Sequence, residues 1–107
     1  MDQNVLETIR QTVTDNPIVL YMKGTPQAPQ CGFSSATVQI IEACVANNFF
    51  VVNVLVDKGV YENLKHYADW PTFPQLYVKG EFAGGADIVR DMHQHGELQT
   101  LLNSATV

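Results

Sequence analysis

Pro17-Ile18-Val19-Leu20-Tyr21-Met22 is an unbroken apolar run between turn-forming residues. A strand of this composition has to be buried on both faces. It leads through Lys23 and the loop Gly24-Thr25-Pro26-Gln27-Ala28-Pro29-Gln30 to Cys31-Gly32-Phe33-Ser34, where the spacing turns helical. Phe33, Ile40, Ile41 and Cys44 fall on one helical face. The next run, Phe49 to Leu55, is rich in β-branched and aromatic residues. Such a strand, helix, strand unit is expected to be parallel and right-handed.

The remaining elements follow from the same periodicities. Asn4 to Asp15 carries Val5, Leu6, Ile9 and Val13 at helical spacing, with Asn4 and Glu7 placed as a capping box. A short helix is expected near Val60 to Ala68, and then comes Trp70-Pro71-Thr72-Phe73-Pro74-Gln75. Leu76 to Val78 and Glu81 to Ala83 flank Lys79-Gly80, which reads as a tight hairpin turn. Gly84-Gly85-Ala86-Asp87 opens an amphipathic helix through Ile88, Val89 and Met92, and Gly96 separates it from a last helical segment at Glu97 to Leu102. This order predicts an α/β, thioredoxin-like fold, with a four-stranded mixed sheet flanked by helices on both faces. The first two strands are parallel in it, and the last two form an antiparallel meander. Pro74 is the candidate for a cis peptide, which would turn the Phe73 carbonyl and N–H toward the thiol; a trans Pro opening an edge strand is the alternative.

A chain of 107 residues is expected to form one domain over 1–107. Its two cysteines are too few and too far apart for a disulfide framework, and Met1-Asp2-Gln3-Asn4 has neither the basic start nor the apolar core of a secretory signal. A soluble, cytoplasmic protein is expected, with no membrane span. A net charge of −5 with scattered lysines argues against a nucleic-acid surface. His93 and His95 lie two apart on a helix and do not make a metal pair, and His66 is expected at the surface. Trp70 is expected to pack rather than to stack on a ligand.

The chemistry concentrates at Cys31. A thiol at a helix mouth faces unpaired backbone N–H groups and the positive end of the helix dipole, which favour the thiolate, a nucleophile and metal ligand. Ser34 stands where a dithiol oxidoreductase would carry its second, resolving cysteine. Cys44, on the apolar helix face, is expected to be a small buried hydrophobe.

These motifs together resemble the single-domain monothiol glutaredoxins, whose hallmark is Cys-Gly-Phe-Ser. The resemblance runs from about Asn16 to Leu102. It includes Tyr21-Met22-Lys23-Gly24, the lengthened loop before Cys31, Trp70 to Gln75, and Gly84-Gly85 followed by Asp87. It implies a glutathione site and a bridging 2Fe-2S cluster. Such a cluster takes four ligands, usually thiolates, and this chain does not supply four. Cys31 from each of two chains and two glutathione thiolates complete the set, which predicts a cluster-bridged homodimer with a mostly monomeric apo form.

For glutathione, the resemblance assigns Lys23, Cys31, Phe73, Ala86 and Asp87 as binding residues. Backbone N–H groups at Gly85-Ala86-Asp87 are offered to the γ-glutamyl carboxylate. Asp87 is expected both to cap that helix and to accept from the γ-glutamyl ammonium. Two positions depart from the family pattern. Tyr61 stands where many relatives have an arginine, with Lys65 one turn on as the candidate to compensate, and Ala86 stands where relatives often have a cysteine. Somewhat weaker glutathione affinity and no intramolecular disulfide at that site are the expectations.

The implied function is a carrier that passes the cluster to apo-proteins, with BolA-like proteins as partners. The alternative is a glutathione-dependent oxidoreductase, in which Cys31 attacks a glutathione mixed disulfide by a monothiol route. A redox-inert adaptor is a third reading, which leaves the helix-mouth thiol without a purpose.

Overall fold

Every residue of β1 (Ile18–Met22) is buried, as its unbroken apolar run requires. The computed structural model describes residues 2–106; Met1 and Val107, which the domain expected over 1–107 also includes, lie outside the described residues. After α1 (Gln3–Asp15) and β1, a two-residue ladder joins β2 (Gly24–Thr25) to β3 (Ala28–Pro29). Next come α2 (Gly32–Val45), β4 (Phe50–Asn53), α3 (Lys58–Tyr67), β5 (Gln75–Val78), β6 (Glu81–Gly84), α4 (Ala86–Gln94) and α5 (Glu97–Thr106).

The main sheet has the order β4-β1-β5-β6. β1 pairs in parallel with β4, from Val19 opposite Phe50 to Met22 opposite Asn53. It pairs antiparallel with β5, from Ile18 opposite Val78 to Tyr21 opposite Gln75. β5 and β6 form the expected hairpin through Lys79 and Gly80, both in the left-handed region that such a turn needs. Alternation along β1 and β5 then sorts the core into two layers. Ile18, Leu20, Met22, Leu76 and Val78 face Val38 and Ile41 of α2, Val89 of α4, and Leu98 and Leu102 of α5. Val19, Tyr21 and Tyr77 face Ile9 and Val13 of α1 and Val60 and Leu64 of α3. The thioredoxin-like architecture is therefore present, with a mixed four-stranded sheet between helical layers.

Four local expectations are corrected. The cap of α1 is Asp2, not Asn4: the Asp2 carboxylate accepts from the Asn4 and Val5 amides at 2.9 and 3.3 Å. A charged acceptor at the positive end of the helix dipole outcompetes the neutral Asn4, and Glu7 pairs instead with Arg10. The run after Phe49 is strand only to Asn53, and Val54–Val56 is a 3-10 turn. The Asn53 carboxamide enforces that turn by accepting from the Leu55 amide, and it also accepts from Gly24, both at 3.0 Å.

The third correction is Phe33, which leaves the apolar face of α2 and is 65 % exposed. The buried stripe is Ser34, Thr37, Val38, Ile41 and Val45, a helical progression that puts Phe33 one residue off it. Fourth, Cys44 is only partly buried at the edge of that layer. Among the described residues, no helix is long and apolar enough to cross a membrane.

Candidate functional site

The carboxyl end of β1, the mouth of α2, α3, the loop before β5 and the start of α4 enclose one groove of about 480 Å³. Lys23 comes from the end of β1, Cys31 and Phe33 from α2, and Tyr61 from α3. The loop contributes Trp70 through Phe73, and α4 contributes Ala86 and Asp87. All five residues singled out in the sequence, Lys23, Cys31, Phe73, Ala86 and Asp87, line this groove. Cys44, at the other end of α2, does not, and neither do His66, His93 or His95.

Cys31 is the N-cap residue of α2, with extended backbone and no side-chain capping bond. Its sulfur is left beside the free amides of the first turn. The Cys31 thiol is held below the ordinary cysteine range, chiefly by the Ser34 backbone N–H. Partial burial opposes this, while the Phe33 N–H, the Lys23 charge and the Ser34 hydroxyl add to it. Burial pushes the Cys44 thiol the other way. A nucleophilic thiol and an inert one thus share a helix.

Ser34 is fully buried, and its hydroxyl accepts from the Lys23 amide at 3.1 Å. The loop between them is folded back: the Gln30 amide donates to the Lys23 carbonyl at 2.9 Å, and the Ala28 amide donates to the Thr25 hydroxyl at 3.1 Å. The lengthened segment before the thiol is therefore a hydrogen-bonded ladder stitched to the end of β1.

Across the groove, the Phe73-Pro74 peptide is cis, as the sequence proposed. The loop before it is templated by Gln75, which has no solvent exposure. Its carboxamide nitrogen donates to the Trp70 and Thr72 carbonyls at 3.1 and 3.2 Å, and its oxygen accepts from the Tyr77 hydroxyl at 2.9 Å. Trp70 packs on Phe82, with ring centroids 5.3 Å apart, so the indole serves packing as expected, and the residue also lines the groove.

The cap expected from Asp87 is not made. Gly85 is the N-cap of α4, Ala86 is its first residue, and Asp87 pairs with Arg90 at 3.5 Å. A residue inside the first turn points away from the axis and does not fold back as a cap does. The first amides of α4 consequently have no side-chain partner. Gly85 is where it is because a Cβ there would lie 2.8 Å from Trp70 Nε1 and 3.4 Å from the Pro74 carbonyl. Only a glycine lets the start of α4 approach the groove so closely.

Sequence reasoning gave Gln75 no role and read Ser34 only as a missing thiol. The available signal for Gln75 was a polar residue opening an otherwise apolar strand in the middle of the sheet, which must be hydrogen-bonded if buried.

Comparison with known proteins agrees with this geometry. The sequence profile of the family described as Glutaredoxin matches residues 18–83. The chain is 50% identical over 97 residues to Glutaredoxin 4 of Escherichia coli K12, covering 91% of this chain and 84% of that one. It is 54% identical over 87 residues to the probable monothiol glutaredoxin GrlA of Legionella pneumophila, covering 81% and 97%. The solution structure of reduced poplar apo GrxS14 superposes with a TM-score of 0.78 at 46% identity, over 94% of this chain and 91% of that one. With one thiol at the mouth of α2, a buried serine in place of a second, and these relatives over most of its length, the chain belongs to the glutaredoxin family, among its monothiol members.

Proposed function

We propose that this protein binds glutathione in the groove and, as a homodimer, holds a bridging 2Fe-2S cluster that it passes to apo iron-sulfur proteins, with BolA-like proteins as partners. One observation carries this: the groove presents a single activated thiol with no second thiol in reach. Cys44 lies about 20 Å away by helical rise along α2. Among the described residues, no three Cys, His, Asp or Glu side chains gather as a metal site. A four-thiolate group fits Cys31 only if the other ligands come from outside the chain, and the groove beside it has room for a small thiol peptide. Cys31 would be the one protein ligand from each chain, next to a glutathione thiolate. When bound, such a cluster supplies thiolate exchange at iron, the chemistry needed for transfer between proteins.

The chain's own residues hold the peptide. The uncapped amides of α4 at Ala86 and Asp87 face a carboxylate, the Asp87 carboxylate accepts from an ammonium, and the Lys23 charge favours the Cys31 thiolate. The Phe73 main chain pairs with the extended peptide. Free cysteines at both positions fit a reducing cytoplasm.

The depressed Cys31 pKa, at the edge of an open groove, favours a second activity. The thiolate attacks the glutathione sulfur of a mixed disulfide, the S–S bond breaks, and the partner leaves as its thiolate. A second glutathione thiolate then attacks the Cys31-glutathione disulfide, giving oxidised glutathione and free Cys31.

Anaerobic reconstitution with iron, sulfide and glutathione tests the carrier function, read by visible absorption, circular dichroism and sizing. A coloured dimer that forms only with glutathione, and not with Cys31→Ser, is expected. A colourless monomer that turns over glutathione mixed disulfides would leave the oxidoreductase alone.

A further inference from the structure

The cysteine that the groove does not use has a partner of its own. Cys44 lies in the last turn of α2, where α4 and α5 pack against that helix. Its sulfur is 3.9 Å from Nδ1 of His93, in the last turn of α4. The Gln99 carboxamide of α5 donates to the Cys44 carbonyl at 3.0 Å and steadies the end of α2. Cys44 is partly buried and His93 is exposed, so the pair is open to solvent on one side. His95 stays apart, with its own Nδ1 2.7 Å from the Asp91 carbonyl.

A thiolate and an imidazole together suit copper and zinc. At 3.9 Å the two atoms are far apart for a hydrogen bond. They are close to the span of one metal–sulfur and one metal–nitrogen bond, about 2.3 and 2.0–2.1 Å for zinc, opened wider than the tetrahedral angle. Among the described residues, no third Cys, His, Asp or Glu completes a group around them. A tetrahedral ion would have half its positions left to water. Copper(I), a soft ion content with two ligands set at a wide angle, is satisfied by this pair. Coordination deprotonates a thiol outright, so the inertness of free Cys44 toward electrophiles is no obstacle.

The geometry points to a two-coordinate copper(I) site formed by Cys44 and His93, separate from the groove and at the opposite end of α2 from Cys31. Binding forms a Cu–S and a Cu–N bond and breaks the Cys44 S–H bond, whose proton passes to solvent. His93 binds as the neutral ring, through Nδ1 with its proton on Nε2. Copper remains copper(I) throughout, so no oxidant or reductant takes part.

Anaerobic titration of the Cys31→Ser chain with copper(I) buffered by bicinchoninate tests the site, since that substitution removes the other thiol. One copper per chain is expected, with one sulfur and one nitrogen neighbour by X-ray absorption. His93→Phe in the same chain, at an exposed position where the fold does not depend on the ring, should weaken binding by about tenfold or more, and Cys44→Ala should abolish it. Uptake unchanged by either substitution would overturn the site. Copper held between the sulfurs of two chains, read as two sulfur neighbours and a dimer on sizing, would overturn it too, as would retention of zinc in preference to copper(I) when both are supplied.

Discussion

The buried Ser34 hydroxyl accepts a hydrogen bond from the Lys23 amide at 3.1 Å, and so ties the end of the central strand to the first turn of the thiol-bearing helix. The residue that replaces a second thiol is thus a structural fastener. Its own backbone N–H is the main cause of the lowered Cys31 pKa, so the fastener also sets where that N–H points.

Ser34→Ala is expected to leave the Lys23 N–H without a partner, at a cost of about 1–3 kcal/mol. It should also raise the Cys31 pKa toward the ordinary range. Urea denaturation reads the first effect and the pH dependence of iodoacetamide alkylation the second; an unchanged alkylation midpoint would remove Ser34 from thiol activation.

The two cysteines give opposite linkage to pH. Folded Cys31 has a lowered pKa, so between its folded and unfolded values the unfolded chain binds more protons and stability rises with pH. That contribution is complete above the unfolded pKa, about 8.5, and is lost as pH falls through the folded value. Cys44 has a raised pKa, so its contribution is present below the unfolded value and is lost as pH rises through the folded one. Cys31→Ser should therefore make the alkaline slope of stability more negative and Cys44→Ala more positive, as measured by urea midpoints from about pH 6 to about pH 10. Slopes identical to the wild type in both variants would contradict the assignment.

Gln75→Leu should destabilise by about 2–4 kcal/mol, because the Trp70 and Thr72 carbonyls and the Tyr77 hydroxyl all lose their partner. Gln75→Glu is not expected to rescue it, since a carboxylate does not donate to two carbonyls. Glutathione affinity at a temperature where both variants remain folded should fall as well, because the loop from Trp70 to Phe73 loses its template. Affinity equal to the wild type would confine Gln75 to stability.

Gly85→Ala adds a methyl group 2.8 Å from Trp70 Nε1. Moving the indole or the start of α4 to accommodate it should cost about 1–3 kcal/mol. The indole fluorescence and ligand affinity are expected to change together, and a variant with wild-type melting temperature and emission would show that the contact yields freely. Gly32→Ala is the control, since a Cβ there meets nothing within 4 Å.

Much of this molecule is legible locally. The buried run from Ile18 to Met22, the hairpin at Lys79 and Gly80, and the place of Cys31 at a helix mouth depend on period and turn chemistry within a few residues. The errors came where neighbours compete. Asp2 took the cap assigned to Asn4, and Gly85 the cap assigned to Asp87. Phe33 had an apolar side chain but the wrong phase for the core.

By itself the sequence determined the order of elements, the double-sided burial of β1 and the single activated thiol, because each is a property of spacing along the chain. Only the tertiary structure decided that Lys23 and Tyr61 share a groove wall, that Lys65 meets the Tyr61 ring, and that Gln75 shapes the loop opposite. It also decided that Gly85 brings α4 against Trp70. Those groups come from segments far apart in the chain, and their contacts depend on how the helical layers pack on the sheet, a three-dimensional outcome that no local period encodes.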